Sequence, residues 1–270
     1  MAQLYAANYQ WHGEDAMNRC AYFAVVDKLE QAKKPLLFIG GGVTLSGTAN
    51  EIRRIIARTD IPVVSSLMGL GCVPGDDSHF LGMVGMHGQY ASTIAQDDAD
   101  LVIAIGTRFS DRVTGKTSEF CKEATIIHMD VDFAEISKNV TADIGVRGDL
   151  RVSLPRVISG VEKKEHPEWR AHVDALVEKE QSLHAETLGV DPRDIMNVIN
   201  DIKSDDTVVA TDVGQHQMWT AQHFPFHRVR QLITSGGLGT MGFGLGAAMG
   251  AAKSDPEGNP VALVTGDGSF

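Results

Sequence analysis

The sequence predicts an α/β protein built from two Rossmann-like parallel sheets flanked by helices. Three observations carry this. Short apolar or β-branched runs such as Leu36–Ile39, Leu101–Ile105 and Val261–Thr265 recur, and each stops at glycine or a small polar residue. Runs of that length read as strands buried on both faces. Between them lie segments with apolar residues at helical spacing. From 156 to 190 the pattern turns to charge, in Glu162-Lys163-Lys164-Glu165 and Glu178-Lys179-Glu180, which divides the chain in two.

Taken in order, residues 1–15 read as an irregular lead-in. Ala16–Gln31 puts Ala21, Val25, Val26 and Leu29 on one side of an amphipathic helix, which Lys33-Lys34-Pro35 ends. Strands are expected at Leu36–Ile39, Pro62–Ser66, Leu101–Ile105 and Ile126–Val131, with a short strand end at Val146–Asp149. Helices are expected at Ala49–Arg58 and Gln89–Ala95, whereas Gly82–Gly88 (GMVGMHG) shows no regular period. This alternation makes 16–155 a Rossmann-like sheet. Residues 156–190 read as a charged, solvated linker with a helix around Trp169–Ala185. Asp191-Pro192 is an N-cap and first-turn pair for a helix to about Ile202. The second sheet then occupies 191–270, with strands at Val208–Ala210, Gln231–Thr234 and Val261–Thr265.

Composition narrows the function. The chain has 270 residues, 43% hydrophobic and 22% charged, with a net charge of −11. That charge argues against nucleic acid and anionic membranes as partners. An anionic ligand would be held by glycine-rich backbone, and the 28 glycines cluster at strand ends. Cys20, Cys72 and Cys121 form no C-x-x-C, which reads as a reducing cytoplasm rather than a disulfide framework or zinc site. The amino-terminal residues lack the pattern of a signal peptide, and Gly236–Ala252 is shorter than a bilayer span.

In open α/β sheets ligands sit at the carboxyl ends of the strands. Asp212–His216, Ser235–Met241 and Gly266-Asp267-Gly268-Ser269 should therefore converge. Gly-Asp-Gly at a strand end offers a carboxylate for a hard cation beside N–H groups for a diphosphate; taken alone it is more often an ordinary turn, and its neighbours reverse that balance. Gly40-Gly41-Gly42 is not G-x-G-x-x-G, and it reads either as a ligand approach or as a sharp strand-to-helix turn. Arg108 and Arg112 beside Asp111 suit a carboxylate or other anion, or else form a surface ion-pair cluster. Met86 and His87 are open to a packing role. Asp130, at the end of a strand, suits ribose hydroxyls.

The motifs VGQHQMW, SGGLGTMGFG and GDGS, with FIGGGV, SSLMGLG, LGMVGMHG, GTRFSDRVTG, IHMDVD and RGD, are similar to those of one family. The chain resembles the large, catalytic subunits of the acetolactate synthase (acetohydroxyacid synthase) family of thiamine-diphosphate enzymes. The resemblance covers essentially the whole chain. It implies thiamine diphosphate on Val213, Gly214, Gln215, His216, Gly239, Met241, Gly266, Asp267, Gly268 and Ser269, with Asp267 a Mg²⁺ ligand and Met241 the prop of the bent cofactor. It implies FAD, without net redox chemistry, along the first sheet. Its contacts there would start at Gly40, Gly41 and Gly42, then Ser66 and Leu67, then Val84, Gly85, Met86 and His87. They continue through Gly106, Thr107, Arg108, Ser110, Arg112 and Val113 to Asp130, Val131, Asp149 and Leu150. Arg112 would recognise the carboxylate of the second keto acid, with Met86 and His87 also on the substrate side.

The implied reaction is decarboxylation of pyruvate and carboligation to a second pyruvate or to 2-oxobutyrate, which leads to branched-chain amino acids. The implied partners are a homodimer or homotetramer and a regulatory small subunit. Thr107, Ser110 and Gly246 depart from the family, which usually has Ala or Val, Asp, and Pro there. The resemblance also implies that the second sheet is truncated, and it places the essential glutamate and the remaining Mg²⁺ ligands outside these 270 residues, so the chain alone is expected to be inactive. Rival readings are another thiamine-diphosphate carboligase or decarboxylase, such as glyoxylate carboligase, and a non-catalytic nucleotide-binding fragment.

Overall fold

The computed structural model describes residues 16–183, 190–202, 204 and 206–270. The expected lead-in, 1–15, and part of the expected linker lie outside the described residues. The first sheet has six parallel strands in the order β3-β2-β1-β4-β5-β6. They are β1 (Pro35–Ile39), β2 (Val63–Ser65), β3 (Phe80–Met83), β4 (Leu101–Ile105), β5 (Thr125–Asp130) and β6 (Ile144–Arg147). Strand side chains alternate between faces. Leu37 and Ile39 accordingly enter one core, with α1 (Ala16–Gln31), α3 (Ala49–Thr59) and α6 (Leu150–Gly160). Leu36 and Phe38 enter the other, with α4 (Tyr90–Asp98) and α7 (Pro167–Leu183). Burial on both faces is why these strands are continuously apolar. Two short helices, α2 (Gly41–Ser46) and α5 (Asp111–Thr114), start at strand ends.

Three local expectations change. An edge strand, β3, is not among those expected; it runs into the aperiodic Gly82–Gly88 stretch, of which it takes Gly82 and Met83. Residue 155 lies inside α6, whose Leu150, Leu154, Val157 and Ile158 are core residues. The linker helix is not solvated all round. Trp169, Val173 and Leu176 of α7 are buried in the core that holds Leu36 and Phe38, α7 packs on α4, and Trp169 Nε1 donates to the Pro35 carbonyl at 2.9 Å.

The second sheet is also parallel, β8-β7-β9, formed by β7 (Val208–Thr211), β8 (Leu232–Ile233) and β9 (Val261–Val264). α8 (Pro192–Ile202) packs against α9 (Gln215–His223), and α10 (Phe243–Ser254) covers β7 and β9. A third apolar cluster joins the halves: Leu70 and Met83 from the first meet Val209, Ala221, Phe224 and Phe226 from the second. No helix among the described residues is long and apolar enough to cross a membrane.

Candidate functional site

The second-sheet motifs meet at Asp212, the fully buried residue that follows β7. Its Oδ1 accepts the N–H groups of Val213 at 3.0 Å and Gly242 at 2.9 Å, and its Oδ2 accepts that of Gly244 at 2.9 Å. Burial pushes this carboxyl's pKa up. The N–H bonds from Gly244, Val213 and Gly242, with the Ser269 hydroxyl, together outweigh burial and hold it below the usual carboxylate range. One side chain thus ties the end of β7, the start of α10 and the turn after β9. Gly244 has no space to spare, since a Cβ there would lie 2.9 Å from the Asp212 nitrogen.

Gly214 has φ 150° and precedes α9, whose first-turn His216 turns back over it. A Cβ on Gly214 would lie 3.1 Å from His216 Cε1, and one on Gly266 would lie 3.4 Å from Nδ1, so the ring fills the gap between the two loops. His216 Nε2 is buried without a hydrogen-bond partner. Val213 is half-buried, and Gln215, Gly239, Met241, Asp267 and Gly268 are exposed. The Met241 methyl is 3.7 Å from where a Gly268 Cβ would be, which joins the Ser235–Met241 loop to the Gly-Asp-Gly turn. Among the described residues no group of three His, Cys, Asp or Glu side chains is placed to hold a metal ion, so Asp267 has no such company.

The residues expected along the first sheet all fall at its carboxyl edge. They are not equally open. Val84 and Leu150 point into the cores, and Thr107 and Gly106 are buried. Gly40 and Gly42 pack on the β4 end: a Cβ on Gly40 would lie 2.3 Å from the Gly106 oxygen, and Gly42 N donates to that oxygen at 2.9 Å. The turn reading therefore explains two of the three glycines. Thr107 is held by His128, whose Nε2 meets its carbonyl at 2.9 Å while burial lowers the imidazole's pKa. Ser66, Leu67, Gly41, Gly85 and Val113 are half-buried, and Ser110 caps α5 through its carbonyl.

Asp130 ends β5 and Val131 follows it. Burial is the largest influence on Asp130 and raises its pKa. Asp149 caps α6 and bonds Arg151, chiefly by its side chain, and this lowers its pKa. Arg108, Arg112, Met86 and His87 are exposed. Arg112 Nη1 donates to Met86 Sδ at 3.7 Å, and Met86 N–H donates to the Arg112 carbonyl at 2.8 Å. The reading by residue type overlooked Asp212 as a bonding centre, along with His128, Gln89 and Gln222.

Residues 23–157 match the thiamine pyrophosphate enzyme central domain, and residues 212–270 match the C-terminal TPP binding domain. The chain belongs to the thiamine pyrophosphate enzymes. Within that class it is similar to acetolactate synthase large subunits. Over 90% of its length it is 43% identical to the isozyme 2 large subunit of Escherichia coli (strain K12), covering 44% of that protein. It is 40% identical to the large subunit of Lactococcus lactis subsp. lactis over 91% of the chain, covering 43% of the relative. It is 41% identical to the chloroplastic acetolactate synthase 2 of Nicotiana tabacum, again over 91% of the chain, covering 38%. The chain thus spans about two fifths of the length of these relatives.

Proposed function

We propose that this chain supplies the central and diphosphate-binding parts of an acetolactate synthase. Such an enzyme decarboxylates pyruvate and joins the remaining two carbons to a second 2-keto acid, pyruvate or 2-oxobutyrate. The observation that carries this reading is the convergence of VGQH, GLGTMGFG and GDGS on the Asp212 carboxylate. The residues present fit thiamine diphosphate: glycine-lined backbone at a helix start, and a buried imidazole nitrogen without a partner. Val213–His216, Gly239 and Gly266–Ser269 would hold the diphosphate, Asp267 would give Mg²⁺ one oxygen, and Met241 would prop the thiazolium. Thiamine diphosphate, when bound, supplies the carbon nucleophile that side chains lack.

FAD along the first sheet is part of the same proposal. Six strand ends span about 24 Å at roughly 4.8 Å per strand, a length that suits an extended dinucleotide. Arg112 would take the second keto acid's carboxylate, a pairing that favours a planar guanidinium. A homodimer or homotetramer and a regulatory small subunit are proposed as partners, because two of the relatives are named large subunits. Calorimetric titration with Mg²⁺ and thiamine diphosphate tests the core of the reading. Binding should be seen with the wild-type chain and weaken at least ten-fold in Asp267→Ala. No binding, or equal binding, would sink it.

A further inference from the structure

Two glutamines cross between the halves of the molecule. Gln89 follows the Val84–Gly88 loop, and Gln222 is the penultimate residue of α9. Gln89 Nε2 donates to the Gln222 carbonyl at 2.8 Å. Gln222 Nε2 donates to the His87 carbonyl, also at 2.8 Å. Each side-chain amide thus satisfies a carbonyl on the other half. Gln89 is itself locked, because its Oε1 accepts the Met83 N–H at 2.6 Å. Gly82 makes the space: its φ is 98°, and a Cβ there would lie 2.4 Å from Gln89 Oε1.

The far side of the same loop is equally tight. Gly85 has φ 107°, and a Cβ on it would lie 2.4 Å from the Arg112 carbonyl oxygen. Met86 N–H donates to that oxygen, and Arg112 Nη1 returns to Met86 Sδ. An unbroken run of contacts therefore leads from α9, which opens with Gly214–His216, through Gln222, His87 and Met86 to Arg112. A lateral shift of α9 cannot leave Arg112 where it was unless one of these bonds breaks.

We propose that Gln89 and Gln222 are positioning residues, which keep the Val84–Gly88 loop, and the Arg112 it contacts, in register with the helix that starts at the diphosphate loop. The proposal rests on the reading of Arg112 as the keto-acid arginine and of 213–216 as the diphosphate site. An uncharged hydrogen bond of this kind is worth a factor of roughly 3–10 in local opening.

The test is amide hydrogen exchange by NMR on the 270-residue protein, comparing wild type, Gln222→Met and Gln222→Glu. In Gln222→Met the Met86 amide should exchange roughly 3–10 times faster than in wild type, with the α9 amides unchanged. Gln222→Glu should behave like Gln222→Met at pH 7. At about pH 4, where the carboxyl is partly protonated and can donate to the His87 carbonyl, it should move back toward wild type measured at the same pH. A methionine of similar size cannot show that pH-dependent rescue. The proposal is overturned if Met86 protection in Gln222→Met equals wild type, or if the glutamate variant tracks the methionine variant at both pH values. Adding Mg²⁺ and thiamine diphosphate to the wild type separates the underlying reading. Unmoved Gly214 and His216 amides would remove the cofactor assignment and leave the exchange result on the glutamines standing.

Discussion

Asp212→Asn keeps the shape of the side chain and changes only what its two ends can accept. In the wild type, Oδ1 receives two N–H groups and Oδ2 receives the third. An amide has one acceptor end. Whichever way it turns, an NH₂ faces at least one backbone N–H in a fully buried place. A buried donor left unpaired costs about 1–3 kcal/mol, and the bonds that remain lose their charge assistance, about 1 kcal/mol more. The expected loss is roughly 2–4 kcal/mol, read from urea unfolding at pH 7.

The pH dependence follows from the direction of the shift. The folded-state pKa of Asp212 is depressed, so its contribution is complete above the unfolded-state value of about 3.9. It is lost as pH falls through the lower folded-state value. The gap between wild type and Asp212→Asn should therefore be constant from pH 7 to about 5 and narrow below about pH 4. A cost under about 1 kcal/mol, or a gap that does not change down to pH 3, would refute the role given to this carboxylate.

Glycines of α10 divide into two kinds. Gly244→Ala should destabilise by about 2 kcal/mol or more, because its Cβ would meet Asp212, whereas Gly246→Ala, with nothing within 4 Å, should stabilise by about 0.5–1 kcal/mol in the same urea assay. Of the three cysteines only Cys20 is exposed, and burial pushes the Cys121 thiol up to about 12. A chromogenic disulfide at pH 8 should therefore titrate one thiol rapidly in the native protein and three after denaturation; rapid loss of all three would contradict the packing. Flavin fluorescence should be quenched when FAD is titrated with the protein, and a flat titration to large protein excess would remove FAD from the proposal.

The sequence made some parts of this structure legible for definite reasons. β1 and β4 could be read because Leu36–Ile39 and Leu101–Ile105 face a core on both sides. β3 could not, since Gly82 breaks the pattern for the sake of the Gln89 amide, a tertiary contact. α7 was legible as a helix, but its buried stripe Trp169, Val173 and Leu176 was not, because charged residues outnumber it. At the site, the strand-end glycines were visible as a class, but not that Gly40 and Gly42 serve Gly106. Asp212 looked like one more acid at a strand end, because two of its partners lie 30 and 32 residues further along the chain.

The seat of Trp169 has a practical side. The match to the central domain stops at residue 157, yet Trp169, whose indole is buried in that domain's second core and bonds the start of β1, lies beyond it. Cutting the gene at the family boundary would remove Trp169, Val173 and Leu176 from the second core and leave the Pro35 carbonyl without the indole donor. Such a piece should express as inclusion bodies, whereas one extended through Leu183 should remain dispersed. What is inherited as a module and what unfolds as a unit are, in this chain, two different lengths.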